Sequence, residues 1–476
     1  MRKMKENACN NKNQKKNPGF LLSAVSSNSG KTAAACGLMS AFKQTGKRVC
    51  ACKCGPDYID PMFHREVLSV DSKNLDLFFS EEEVLKEEYL RHTKDADITI
   101  TEGVMGFYDG MSLGSVKGSS YDVARTLGLP VILVINARGA AMTLVATVKG
   151  IAEFRSDSKI RGILLNRVSA MLYPRLKEML ENELARIGHD EIKIVGYMPE
   201  NEVFHLESRH LGLVTPQQME NLQEKVKRAG EILAKTVDLE LLEKIAGEAA
   251  VWKTEVIEES EKVGNLKSKN DPVRIAVARD EAFCFYYKDN LELLESLGCE
   301  LIEFSPLHDK KLPKNVKGIL LGGGYPELYG KELAENQSML ESIRRALNNK
   351  IPCLAECGGF MYLHEEMEDA DGNVWKLVGR IHGKTFPTGK LVRFGYVNLQ
   401  RNLDENQVSE LKERMSIADS WILPGENIRA HEFHYWDSTD SGSDCLAVKP
   451  DGKRNGNAYI WKRISWLDIR ICITYL

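Results

Sequence analysis

No apolar run in this 476-residue chain approaches the ~20 residues that span a bilayer, which argues against a helical membrane anchor. Neither sign of charge dominates. With 64 Lys+Arg against 68 Asp+Glu the net charge is -4, so the long-range field that draws proteins to nucleic acid is missing. Residues 1–18 are basic and polar but lack the apolar segment of a secretion signal, and read as a disordered tail on a cytoplasmic protein. A paired cysteine framework is missing too: the eleven cysteines are odd in number and scattered, as reduced thiols are. Cys50, Cys52 and Cys54 alternate too closely for zinc pairs. Alternation instead puts them on one strand face, where free cysteine packs as a small hydrophobe.

What is present is an α/β pattern, repeated twice. At 100–200 residues per domain the length implies two or three domains, and 43% hydrophobic with 28% charged residues suits globular ones. Strand-like runs stand at 19–25, 48–53, 97–101, 130–136 and 162–166, most of them separated by helical segments such as the one ending at Gly46. Buried strands with helical crossovers predict a parallel sheet covered on both faces. Residues 215–270 turn polar and helix-forming, and the charged end of that stretch reads as a linker. The division expected is 19–248, a linker 249–271, and 272–476, where PVRIAVARD starts the second α/β pattern.

Three turns in the first half carry chemistry. Ser26-Ser27-Asn28-Ser29-Gly30-Lys31-Thr32 joins the first strand to the first helix, where backbone N–H groups and the helix N-terminus cradle phosphate. Lys31 adds a point charge and Thr32 a magnesium ligand, although Val25 stands where the Walker pattern wants glycine. Glu102 ends a buried strand, on the side where open parallel sheets bind ligands, and suits a magnesium or a positioned water. Asp109 follows in the next turn. In Gly55-Pro56-Asp57-Tyr58-Ile59-Asp60-Pro61 two prolines stiffen a turn that brings Asp57 and Asp60 toward one site, though both also suit plain turn formation.

In the second half Ile351–Phe360 reads strand, sharp turn, helix, with Cys357 on the turn before Gly358 and Gly359. A thiol there is exposed above the sheet, and the helix N-terminus is expected to lower its pKa. Cys353, inside the strand, reads as filler. The amides of Gly322-Gly323-Gly324 are candidates for an oxyanion hole.

With these residues the chain resembles the cobyrinate a,c-diamide synthases over about residues 18–460. The motifs are GPDYIDP, EGVMGFYDG, RHLGLV (209–214), GGGYPE, AECGGFMYL and HEFHY (431–435), in that order. GPDYIDP with RHLGLV separates this family from the related cobyric acid synthases. The resemblance implies a parallel-sheet P-loop domain like dethiobiotin synthetase, followed by an α/β class I glutamine amidotransferase-like domain. It implies ATP-dependent amidation of the a and c carboxylates of cobyrinate through acyl phosphates, with nitrogen from glutamine or ammonia. By position in the family, Ser29, Gly30, Lys31 and Thr32 would hold ATP, and Asn166 would touch adenine. Thr32, Asp57 and Glu102 would hold Mg2+. Tyr58, Asp60 and Asp109 would bind substrate, and Cys357 would form the thioester. A homodimer is compatible with the family; nucleic acid and membrane are not expected partners.

Two departures stand out. The family's C-terminus carries an aromatic-x-His-x-His-Phe segment whose first histidine deprotonates the cysteine, whereas residues 463–476 read RISWLDIRICITYL and the last histidine is His434. Weak glutamine use beside intact ammonia use is therefore expected, His431 and His434 being poor substitutes. In Asn136-Ala137-Arg138-Gly139 relatives carry Asp at the first position. The rival readings are amidation of a nickel sirohydrochlorin and a non-catalytic P-loop ATPase switch. The second leaves Cys357 and GPDYIDP unexplained.

Overall fold

The computed structural model describes residues 17–206, 216–251, 272–401, 426–442, 445–452, 455–458 and 471–472. The first sixteen residues, the RHLGLV segment, the linker from 252 to 271 and most of the tail beyond 458 lie outside them. The chain forms two compact units, Met1–Ile257 and Glu258–Leu476.

The first unit alternates strand and helix: β1 (Gly19–Ala24), α1 (Lys31–Gln44), β2 (Val49–Cys54), α2 (Ile59–Glu66), β3 (Asp71–Leu75), α3 (Glu82–Thr93), β4 (Ile98–Glu102), α4 (Ser120–Leu127), β5 (Val131–Asn136), α5 (Met142–Phe154), β6 (Ile160–Asn166), α6 (Tyr173–Arg186) and β7 (Lys193–Met198), then α7 (Pro216–Thr236) and α8 (Leu239–Ala246). Seven parallel strands lie in the order β3-β2-β4-β1-β5-β6-β7. Strands β2 and β3 extend it on one side of β1 and β5 to β7 on the other, so the carboxyl ends of β1 and β4 flank the crevice where such sheets bind ligands. The period of two sorts each strand between two cores. Leu21, Cys52 and Cys54 join one, and Leu22, Ala51 and Ile100 the other. All five strands expected from sequence are present, within two residues of the expected bounds. Strands β3 and β7 were not foreseen.

The second unit begins with β8 (Val273–Ala278), β9 (Phe283–Phe285), α9 (Lys288–Ser296), β10 (Cys299–Phe304), β11 (Gly318–Leu321) and β12 (Gly323–Gly324). It continues through α10 (Gly330–Glu335), α11 (Gln337–Asn348), β13 (Cys353–Ala355) and α12 (Gly358–Leu363) into the strands β14 (His364–Glu368) to β22 (Ile471–Cys472). A parallel sheet runs β10-β8-β11-β13-β22, and two four-stranded sheets hold most of the later strands. One apolar core, with Phe283, Ile319, Leu340, Phe360 and Tyr362, joins the helices to these sheets.

Candidate functional site

The sheet register assembles the site in the first unit. Glu102, the last residue of β4, lies beside Leu22 of β1 and Lys53 of β2. Its side chain therefore meets α1 and α2 on one face of the sheet, and it is fully buried. Thr32 Oγ1 donates to Glu102 Oε1 at 2.6 Å, and Lys53 Nζ donates to the same oxygen at 2.8 Å. Lys53 Nζ also pairs with Asp60 Oδ2 at 2.6 Å. Glu102 Oε2 is buried without a hydrogen-bond partner, with His64 Nε2 3.7 Å away. His64, held by Ser72 at 3.0 Å through Nδ1, is itself fully buried.

These charges set one another. Burial alone would neutralise Glu102, but the Lys53 ammonium and His64 outweigh it and hold the carboxyl below its ordinary range. Lys53 is opposed by burial in the same way and kept charged by Asp60 and Glu102. Asp57 is raised, by burial first and the neighbouring Asp60 second. Lys31 is lowered to about 8, by burial and then by repulsion from Lys53.

The phosphate loop closes over this group. Gly30 has φ +94°, and a Cβ there would stand 2.5 Å from Asn166 Nδ2. Asn166 Nδ2 donates to the Ser29 carbonyl at 2.9 Å, so it braces the loop from β6. Lys31 Nζ donates to the carbonyls of Ser26, at 3.1 Å, and Met105. The Gly30→Ala variant is expected to bind ATP at least about tenfold more weakly, because both the left-handed backbone and the brace are disturbed. Equilibrium dialysis with a non-hydrolysable ATP analogue measures this.

A cavity of about 410 Å³ brings together Gly30, Lys31, Thr32, Asp57, Asp60, Glu102 and Asn166. Ser29, Tyr58 and Asp109 are not among its lining residues. Ser29 Oγ turns inward to the Ser26 carbonyl at 2.9 Å, and exposed Asp109 accepts the Gly106 N–H at 3.0 Å. Asp57 lies at the cavity and also shapes its own turn, where its Oδ1 accepts the N–H groups of Ile59 and Asp60 at 2.8 and 2.9 Å. Sequence reasoning missed Lys53, and also Asn74 of β3, which pins the Asp57 turn through the carbonyls of Gly55 and Asp57 at 2.9 and 2.7 Å. It missed Arg167, Glu200 and His205 on the far wall as well. In the departing Asn136 run, Arg138 reaches Glu200 at 3.1 Å.

The donor set suits magnesium. Thr32 and Glu102 offer hard oxygens, and Glu102 Oε2 is a buried acceptor without a hydrogen-bond donor. Among the described residues no cluster of three or more His, Cys, Asp or Glu could hold a metal unaided. Magnesium bound through one or two carboxylates and nucleotide phosphates needs no such cluster. Cys50, Cys52 and Cys54 are buried, with Cys50 Sγ 3.0 Å from His92 Nε2.

In the second unit Cys357 adopts φ 49° and ψ -108°, a backbone few side chains tolerate. A Cβ on Gly359 would strike the Leu321 carbonyl at 2.2 Å and one on Gly358 the ring of Pro326 at 2.8 Å, so only glycines allow this approach. The amides of Gly324 and Gly358 face the thiol. Tyr286 Oη accepts the Gly322 N–H at 2.9 Å and donates to the Ala278 carbonyl, fixing the glycine turn. The expected lowering of the thiol pKa is not found. Burial and then Glu327 push Cys357 up to about 12, and a six-residue helix is too short to offset them. Glu327, missed from sequence, is itself raised by burial to about 7. The groups that act most strongly on the thiol are Glu327, Glu356 and the amides of Gly358 and Gly324. His431 and His434 lie on the edge strand β18 (Asn427–His434), lowered by burial to about 4 and about 3.

Comparison with known proteins bears on both sites. Residues 21–214 match the CobQ/CobB/MinD/ParA nucleotide binding domain, and residues 274–463 match the CobB/CobQ-like glutamine amidotransferase domain. A cobyrinate a,c-diamide synthase of Clostridium tetani is 42% identical over 418 residues, 87% of this chain and 86% of that protein. Those of Caldanaerobacter subterraneus subsp. tengcongensis and Clostridium acetobutylicum are each 39% identical, over 417 and 416 residues, with the same coverage of 87% and 86%.

Proposed function

This chain belongs to the cobyrinate a,c-diamide synthase family, and from that premise we propose how its residues carry the reaction. It is an ATP-dependent ligase of cobalamin biosynthesis that forms C–N bonds with glutamine as nitrogen donor. The substrate is cobyrinate, whose a and c carboxylates are poor acyl donors until phosphorylated. A carboxylate oxygen attacks the γ-phosphorus of ATP, ADP leaves, and ammonia then displaces phosphate from the acyl carbon.

In this reading the amides around Gly30, with Lys31, hold the phosphates, and Asn166 keeps the loop in shape. Thr32 and Glu102, with Asp57 close by, would hold Mg2+, which when bound offsets phosphate charge. Asp60 belongs to the carboxylate-binding side; Tyr58 and Asp109 would act from outside the cavity described. Cys357 forms the thioester that releases ammonia. The observation that carries the reading is Glu102, which takes Thr32 of the phosphate loop and Lys53 on one oxygen. The reading also has the synthetase in 19–248, the amidotransferase in 272–476, and a cytoplasmic homodimer free of nucleic acid and membrane. Among the described residues no helix is long and apolar enough to cross a membrane.

Mass spectrometry of the product from cobyrinate, ATP and magnesium with either nitrogen donor tests the function. A diamide supports it; ADP release without amide favours the switch. The elevated thiol gives a further expectation. At saturating glutamine, added ammonium salt raises amidation at least about tenfold, since a mostly protonated Cys357 limits ammonia release. Equal rates with the two donors would contradict it.

A further inference from the structure

The pocket poses an electrostatic problem. Asp57, Asp60 and Glu102 line it, yet it must admit a nucleotide polyphosphate and a carboxylate together. Like charges brought to contact distance in a partly buried site repel one another strongly, which by itself would keep the acetate away from the phosphate. Of the two lysines in the lining, Lys31 sits on the phosphate loop itself. Its Nζ is turned onto the loop carbonyl of Ser26, a position from which it can serve the nucleotide.

Lys53 stands differently. It rises from the end of β2, outside the loop, and is 5% exposed on the cavity floor. Its ammonium has three N–H donors. Two are taken by Glu102 Oε1 at 2.8 Å and Asp60 Oδ2 at 2.6 Å. Among the described residues the third has no partner. Two short ion pairs fix the direction of that third donor, which spares the substrate the entropy of ordering a free lysine.

Resting on the function proposed above, we propose that Lys53 is a catalytic residue of the ligase, whose third N–H receives the reacting carboxylate of the corrinoid and then the carbonyl oxygen of its acyl phosphate. Lys53 keeps its proton throughout. One carboxylate oxygen forms the bond to the γ-phosphorus while the bond to the departing ADP oxygen breaks. The other oxygen stays on the ammonium. When ammonia attacks, C–N forms, C–O breaks, phosphate leaves with the electron pair, and solvent takes the surplus proton from nitrogen. Asp60 and Glu102 act as positioning residues for the ammonium in this step.

The test compares wild type with Lys53→Met and Lys53→Arg. Cobyrinate affinity is read by equilibrium dialysis, nucleotide affinity with a non-hydrolysable ATP analogue, and acyl phosphate by hydroxylamine trapping with ATP and magnesium. Lys53→Met is expected to weaken cobyrinate binding at least tenfold and cut hydroxamate at least a hundredfold, with nucleotide affinity within threefold. Lys53→Arg keeps the charge and both carboxylate partners, and with them the fold. Its displaced donor still lowers hydroxamate at least tenfold. Unchanged cobyrinate affinity in both variants overturns the proposal. So does a parallel loss of nucleotide affinity, or melting of both variants, which would make Lys53 a structural counter-ion. A wild-type enzyme that gives no hydroxamate from cobyrinate instead refutes the function itself.

Discussion

Glu102→Gln lowers amidation by about 10²–10³-fold with glutamine and with ammonium alike. The carboxylate is the meeting point of the site: one oxygen takes Thr32 and Lys53, and the other lies 3.7 Å from His64. An amide of the same shape cannot supply two acceptors and a full negative charge, so both the metal position and the ammonium of Lys53 are disturbed. The fold survives, because Lys53 retains Asp60 at 2.6 Å and no buried ammonium is left unpaired. A loss of about 1–3 kcal/mol in stability, read by denaturant melting, is the expected cost of a poorly matched buried polar group. Steady-state assays with the two donors check the activity. A loss confined to the glutamine reaction would place Glu102 outside the phosphoryl-transfer site.

Cys357→Ser separates the two halves of the reaction. Glutamine-dependent amidation falls to background, since a serine hydroxyl is a far weaker nucleophile than even a raised thiol. Ammonium-dependent amidation stays within about twofold of wild type, because no step at the phosphate loop uses the thiol. The backbone at φ 49° accepts serine with the same strain as cysteine, so stability is expected to be unchanged. Parallel assays at saturating glutamine and at saturating ammonium decide it. If the ammonium reaction also collapses, the cysteine turn is part of the ligase chemistry.

Much of the fold was legible because its strands are apolar runs between turn residues. Val131–Asn136 and Ile160–Asn166 could hardly be read otherwise. Strand β3, DSKNL, escaped because it has no apolar run: this edge strand buries Ser72 and Lys73 beside Leu75, so its burial does not show in its composition. Lys53 escaped for a different reason. RVCACKC drew the eye to three cysteines on one face, yet period two places Lys53 on the opposite face beside Ala51. A charge at a buried strand position was the signal to follow. Asn74, Tyr286 and Glu327 could not be found that way, since their roles come from neighbours remote in sequence. The thiol was misjudged because a helix start was weighed without the desolvation that dominates it.

The central claim, that acids at the ends of β2 and β4 bring an acetate arm of cobyrinate against the terminal phosphoryl group of ATP, has a direct isotopic test. Cobyrinate labelled with ¹⁸O in its carboxylates, incubated with the enzyme, unlabelled ATP, magnesium and ammonium, should release inorganic phosphate carrying one ¹⁸O for every amide formed. Amide formation with phosphate free of the label would contradict an acyl phosphate, and with it the role given to the Lys53–Asp60–Glu102 cluster.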